Sequence, residues 1–120
     1  MEEMKKIKIS DAEWKIVHVL WEESPLYMGG IVKALSHTPW SRTTIQTMVL
    51  RLLEKKVVGT NGKGYAFLYY PIVTKEEALD YYTDKFISQV YKDSAKELVK
   101  RIIDGGYLTD ADKKEIKETL

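Results

Sequence analysis

Residues 42 to 51 hold the side chains with the most distinctive chemistry in this sequence. Thr44, Thr47 and Arg51 are spaced at i, i+3 and i+7, a spacing that places them along one side of an α-helix. Arginine can form paired hydrogen bonds with guanine, glutamine can do so with adenine, and a threonine methyl group can contact thymine. The segment therefore predicts contact with double-stranded DNA. The predicted contact residues are Arg42, Thr43, Thr44, Gln46, Thr47 and Arg51.

A solvated helix face is the alternative interpretation of the same residues. Such a face usually mixes acidic and basic side chains, whereas no acidic residue lies between Arg42 and Arg51. An acid there would repel phosphate, so its absence favours DNA. The turn sequence Asn61-Gly62-Lys63-Gly64 follows and predicts a β-hairpin. Lys63 would lie at the hairpin tip, where it would reach backbone phosphate, and we add it to the predicted DNA contacts.

Constellations for catalysis or metal binding are not recognisable in the sequence. It contains no Cys, and its two histidines, His18 and His37, are not at metal-ligand spacing. A Gly-rich phosphate loop, a nucleophile elbow and a zinc-binding His pair are also missing. We therefore predict no catalytic residue, no metal and no cofactor, and a protein that is not an enzyme.

The elements that would position the DNA contacts begin at clear capping signals. Ser10 and Glu13 form a capping box for a first helix, residues 28–35 predict a second, and Ser41 caps a third. The β-prone residues 57–60 and 65–70 flank the hairpin turn, and Leu26-Tyr27 would pair with the hairpin. This order predicts a winged helix-turn-helix, whose third helix enters the major groove. The apolar stripe of that helix is Ile45, Met48, Val49, Leu52 and Leu53.

Three further helices are predicted after the hairpin, with N-caps at Thr74, Ser94 and Thr109. These helices carry more large apolar side chains than three short helices exposed to solvent would be expected to have. Burial of each such side chain gains roughly 1.5–3 kcal/mol, so this surface should find a partner. A second copy of the chain is the economical partner, while packing of some of these residues on the winged domain stays open. A two-fold dimer would present two third helices to two DNA half-sites. The predicted dimerisation residues are Phe86, Val90, Leu98, Val99, Ile102, Ile103 and Ile116.

The whole chain of 120 residues is thus predicted to be mainly α with a small β-hairpin wing. A winged helix-turn-helix domain would span residues 1–73, and a helical dimerisation domain would span residues 74–120. The first holds 10 Lys/Arg and 7 Asp/Glu and the second 9 and 11, which favours DNA contact in the first and protein contact in the second. Apolar runs stay below the roughly 20 residues of a membrane span, and the polar start lacks a signal-peptide core. We expect a cytoplasmic protein.

Several stretches of the chain resemble the BlaI/MecI family, the penicillinase and methicillin-resistance repressors. The resemblance runs in register over residues 7–120. The stretches are Ile9-Ser10-Asp11-Ala12-Glu13-Trp14, Leu20-Trp21, Trp40-Ser41, Thr44-Ile45-Gln46-Thr47, Arg51-Leu52, Ala66-Phe67-Leu68-Tyr69-Tyr70-Pro71-Ile72-Val73, Tyr91-Lys92-Asp93-Ser94 and Leu98-Val99.

The resemblance implies a homodimer that represses transcription by occupying a palindromic operator. It also implies induction through a membrane β-lactam sensor, after which the repressor is cut in its dimerisation helix. In register, that proteolytic cut falls between Arg101 and Ile102, where the family has Asn-Phe. The positions it implies for DNA contact are Thr43, Thr44, Thr47 and Arg51, with the wing near Lys63.

Some residues depart from the family pattern. Lys56 replaces a Gly that is usual after the third helix, and Leu50 replaces a common Asn. The absence of Cys excludes a copper-responsive branch that carries a Cys cluster. The prediction is a repressor of β-lactamase or other β-lactam-resistance genes. A winged-helix module that binds another protein, and a regulator of an unrelated operon, are the alternatives.

Overall fold

The computed structural model describes residues 7–62 and 67–120, and the chain divides into two compact units. The first unit ends at Leu79 and the second is Asp80–Leu120. The domain boundary predicted between residues 73 and 74 remains a prediction. The division between the two units falls later in the sequence, within a helix. In the described residues, no helix is both long enough and apolar enough to cross a membrane.

The described residues form six helices and three short strands, so the predicted mainly α fold with a small sheet is confirmed. The elements are α1 (Asp11–Glu22), β1 (Leu26–Tyr27), α2 (Met28–Ala34), α3 (Arg42–Glu54), β2 (Val58–Thr60), β3 (Leu68–Pro71), α4 (Lys75–Val90), α5 (Ala95–Asp104) and α6 (Asp110–Thr119).

The sheet is antiparallel with the order β1-β3-β2. The predicted strand Leu26-Tyr27 therefore pairs with the hairpin, through β3. Toward the hairpin turn, the Thr60 hydroxyl donates to the Leu68 carbonyl at 2.8 Å. Gly59 lies against the ring of Tyr70, and a Cβ there would lie 2.7 Å from Cζ of that ring, so a larger residue would require the tyrosine side chain to move. Residues 63–66 fall outside the described part of the chain, and the predicted phosphate contact Lys63 is one of them.

The core of the first unit lies where α1, α2 and α3 meet. The Trp21 indole N–H donates to the Val73 carbonyl at 2.9 Å and joins α1 to the segment after β3. The predicted stripe of α3 is buried at four positions, while Leu53 is half-buried. The buried apolar residues are Ile16, Val17, Leu20, Ile31, Leu35, Ile45, Met48, Val49, Leu52, Val57, Val58, Val73 and Ala78.

The helix N-termini follow the capping signals in the sequence. The predicted capping box at Ser10 is complete, and Ser94 accepts the backbone N–H of Glu97 at 3.2 Å. Thr109 was predicted only as a cap, but Asp112 completes a box there by accepting the Thr109 N–H at 3.0 Å. An aspartate three residues after the cap thus accepts the backbone N–H of the N-cap residue, as glutamate or glutamine does in the usual capping box.

Candidate nucleic-acid interface

Helix α3 begins at a strong cap and turns one side into the core. Ser41 is the N-cap, and its hydroxyl accepts the backbone N–H of Thr44 at 3.1 Å. Ile45, Val49 and Leu52 are at most 1% exposed and fix the rotation of the helix about its axis. The outer face of α3, defined as the side opposite this stripe, is consequently the side that solvent or a partner can reach.

The predicted DNA contacts in α3 lie on or beside this outer face. Gln46 is half-buried at the edge of the face. The exposed members are Arg42, Thr43, Thr44, Thr47 and Arg51. The structure thus brings six of the seven predicted residues together on one helix, and Lys63 lies outside the described residues.

Two of the threonine hydroxyl groups on α3 are already engaged within the helix. The Thr47 hydroxyl donates to the Thr43 carbonyl at 3.0 Å, and the Thr44 hydroxyl lies 3.0 Å from the Ser41 hydroxyl. Thr47 therefore offers a partner its oxygen lone pairs and its methyl group rather than a proton. The donors that remain for base edges or phosphate include the guanidinium and amide groups of Arg42, Gln46 and Arg51 and the hydroxyl group of Thr43.

The charge on the outer face has one sign over most of its length. Arg42 opens the helix, Arg51 lies near its end, and the first acidic residue of α3 is Glu54 at its last position. The helix dipole adds a partial positive charge at the Arg42 end. Both effects favour a polyanion, since each phosphate contact by Lys or Arg also releases condensed counterions.

A partly buried ion pair joins Lys55, just after α3, to Glu13 in the first turn of α1. Glu13 is 2% exposed, and its Oε1 lies 2.6 Å from Lys55 Nζ, which also donates to the Lys8 carbonyl at 2.6 Å. Oε1 of Glu13 also accepts the Ser10 backbone N–H at 3.0 Å. Burial raises the pKa of Glu13, but the hydrogen bonds from Lys55 and Ser10 and the Lys55 charge outweigh it, so the pKa is lowered overall.

The sequence predicts a capping box for Glu13, but it does not reveal that Lys55 is its partner. The signal was present, because Glu13, Ile16, Val17 and Leu20 share the buried side of α1. A glutamate in an apolar stripe requires a counter-charge. The distance of 42 residues between the two partners explains why local spacing did not reveal which lysine it is.

The C-terminus of α3 closes in a Schellman motif with a lysine in the left-handed position. Lys56 has φ 61°, its N–H donates to the Leu53 carbonyl at 3.1 Å, and the Val57 N–H donates to the Leu52 carbonyl at 3.0 Å. Val57 and Leu52 are both fully buried, which supplies the apolar contact typical of this motif. Glycine is the residue that adopts this backbone conformation without strain, so Lys56 carries a cost there.

Leu50, which departs from the family pattern, is a further residue of the outer face and was not among the predicted DNA contacts. Its side chain is 58% exposed, in contrast to the buried leucine two positions later. In the described residues there is no group of three or more His, Asp or Glu side chains that could hold a metal ion. The polar outer face, with Leu50 within it, is therefore the best candidate site.

Comparison with known proteins gives one consistent family. The sequence profile of the penicillinase repressor family matches residues 9–120. The penicillinase repressor of Bacillus licheniformis is 31% identical over 119 residues, covering 98% of this chain and 93% of that protein. The methicillin resistance regulatory protein MecI of Staphylococcus aureus is 29% identical over 118 residues, covering 97% and 95%.

Solved structures agree with this assignment. The solution structure of the Bacillus licheniformis BlaI monomeric form in complex with the blaP half-operator is similar with a TM-score of 0.52 and 36% identity. That match covers 59% of this chain and 88% of the other. A Staphylococcus aureus MarR structure matches over 98% of this chain and 73% of its own, with a TM-score of 0.55. At 10% identity, the MarR similarity concerns the fold alone.

Proposed function

This chain belongs to the penicillinase repressor family, and on that premise we propose that it represses transcription by binding palindromic operator DNA as a homodimer in the cytoplasm. Members of the family are DNA-binding transcriptional regulators, so the prediction that the chain is not an enzyme is confirmed. The observation that carries the proposal is the outer face of α3, which is exposed, cationic and free of acid from Arg42 to Arg51.

In the proposed complex, α3 lies in the major groove with its outer face toward the bases. Arg51 forms paired hydrogen bonds with a guanine, and Gln46 does the same with an adenine. Arg42, at the N-terminal end of the helix, binds backbone phosphate together with Lys63 of the wing. The remaining proposed contacts are Thr43, Thr44 and Thr47.

The proposed dimer is formed through residues of the second unit. Val90 is 60% exposed and Val99 is 52% exposed, and exposed apolar residues in such numbers indicate a surface for another protein. Phe86, Ile103 and Ile116 are exposed as well, while Leu98 and Ile102 are half-buried. A second copy of this chain supplies a matching apolar surface and also supplies the second α3 that a palindromic operator needs.

We propose β-lactamase or other β-lactam-resistance genes as the target, on the basis of the relatives named penicillinase repressor and MecI. A membrane β-lactam sensor would induce these genes by causing a cut between Arg101 and Ile102. Both residues lie inside α5, so a protease would need that helix to unfold locally before it could cut. Mass spectrometry of the chain from β-lactam-treated cells would test this, because the proposal requires a fragment that ends at Arg101.

The DNA-binding proposal is tested by mobility shift with the DNA upstream of the chain's own gene, against unrelated duplex, at several salt concentrations. We expect selective binding that weakens steeply between roughly 50 and 200 mM salt, because phosphate contacts release counterions. Arg51→Ala should weaken selective binding, whereas Lys117→Ala, which removes an exposed cation on α6, should not. If the chain binds no duplex at any salt concentration, the proposal is wrong. Selective binding to another locus would instead favour an unrelated operon.

A further inference from the structure

Leu50 is an apolar side chain on the otherwise polar outer face of α3. It lies one helical turn beyond Gln46 and Thr47, and two turns beyond Thr43, so all four share one side of the helix. With its side chain 58% exposed, Leu50 takes no part in the core of the first unit. An exposed leucine among hydrogen-bonding residues is unusual on a face proposed to read bases.

The major groove of DNA offers one kind of apolar group, the 5-methyl group of thymine. Thr47, one turn before Leu50, has no hydroxyl proton left for a hydrogen-bond acceptor on DNA, because it donates that proton to the Thr43 carbonyl at 3.0 Å. Leu50 and the methyl group of Thr47 therefore form a small apolar spot, one turn from the Gln46 amide. Adenine, which Gln46 can bind, and thymine, whose methyl Leu50 can contact, are the two halves of A·T pairs.

We propose that Leu50 is a specificity-determining residue that contacts the 5-methyl group of a thymine, next to an adenine bound by Gln46. This inference rests on the proposed function, because it requires α3 to lie in the major groove. Leu50 makes each half-site prefer an A·T pair at the position that it contacts. The discrimination is against cytosine, which lacks the methyl group, and against uracil, which differs from thymine only by that group.

The experiment uses the full chain and a duplex that the wild-type protein selects from a random pool. Each thymine in the selected half-site is replaced singly by deoxyuridine, and the dissociation constant is measured for the wild type, Leu50→Ala and Leu50→Asn. For the wild type, one replacement should weaken binding about four-fold, which corresponds to ~0.8 kcal/mol for burial of one methyl-sized group. The same replacement should have no effect on either variant. Alanine has high helix propensity, so Leu50→Ala keeps α3 intact.

Ile72→Ala is the matched control, because Ile72 is 47% exposed and lies outside α3. It should keep the wild-type response to deoxyuridine at every position. Circular dichroism of all variants checks that each is folded. A pool that enriches no sequence contradicts the proposed function itself. Selective binding in which no thymine distinguishes the wild type from Leu50→Ala overturns the Leu50 inference and leaves the repressor proposal standing.

A changed sedimentation coefficient for Leu50→Ala, with an unchanged deoxyuridine profile, would assign Leu50 to a protein contact and would also overturn the inference. A selected half-site that contains no thymine would do the same.

Discussion

The outer face of α3 and the apolar side of α5 are both open surfaces, yet they carry opposite chemistry. On α3, Arg42 and Arg51 enclose threonine and glutamine side chains with no acid between them. On α5, Leu98, Val99, Ile102 and Ile103 form a continuous apolar side, with charges opposite. Exposure alone therefore does not identify a partner. The composition of the exposed side differs between the two helices, and on that basis we propose a polyanion as the partner of α3 and a protein as the partner of α5.

The same contrast separates the two compact units. The buried apolar residues run from Ile16 to Ala78 and all belong to the first unit. In residues 80–120, all of which the structure describes, no side chain is buried. The first unit therefore has a core that holds α3 by itself, whereas the apolar residues of the second unit have no such core within it, which is why we propose that a second copy covers them.

Ile102→Asp should have the largest effect, because it places a charge in the apolar side of α5. We expect monomers in sedimentation and operator binding weakened about 100-fold or more, since the second half-site is then bound independently. Lys100→Asp, on the charged side of the same helix, should remain a dimer and should bind as the wild type does. A dimer of normal affinity in Ile102→Asp, with circular dichroism unchanged, would assign the interface elsewhere.

Arg51→Ala should weaken operator binding by about 10-fold for each half-site, because each paired arginine contact contributes roughly 1–3 kcal/mol of discrimination and the dimer makes two of them. The sedimentation coefficient should stay that of the dimer. Arg51→Ala would then affect DNA binding alone, whereas Ile102→Asp affects dimerisation. Thr47→Ala should have a smaller effect in the same assay. If both variants bind as tightly as the wild type, the assignment of the outer face is wrong.

Lys55→Met should lower the free energy of unfolding by about 2 kcal/mol at neutral pH, because it leaves the Glu13 carboxylate buried without its main counter-charge. The pKa of Glu13 is lowered in the folded state, so its contribution is present above the ordinary value of 4.5 and is lost as pH falls through the folded pKa. Urea unfolding should therefore show a difference between Lys55→Met and wild type that shrinks as the pH falls below 4.5 and through the folded pKa of Glu13. A difference that is constant with pH would mean that the lysine stem, not the charge, stabilises the fold.

Lys56→Gly should have the smallest effect and should raise the free energy of unfolding by about 0.5–1 kcal/mol. Glycine relieves the left-handed backbone at φ 61°, and its greater freedom in the unfolded chain offsets part of that gain. Lys56→Ala keeps the Cβ and should not be stabilised. Urea unfolding compares the two, and equal stability of both variants would contradict strain at this position. Operator binding should be unchanged in either case.

The elements of the first unit were largely predictable because their signals are local. Ser41 caps α3, and the stripe from Ile45 to Leu52 sets its rotation, so the exposed residues of the outer face follow from spacing alone. The Glu13–Lys55 pair and the left-handed Lys56 were not predicted. The first joins residues far apart in the chain, and the second depends on how Val57 enters the core after the helix ends.

The most direct test of the central claim, that α3 reads base edges in the major groove, is methylation interference at guanine N7. A methyl group there blocks the acceptor that Arg51 is proposed to bind. Methylation of a particular guanine in each half-site should prevent binding by the wild type and should have no further effect on Arg51→Ala. Interference at the same guanines and to the same extent in both proteins would contradict that claim.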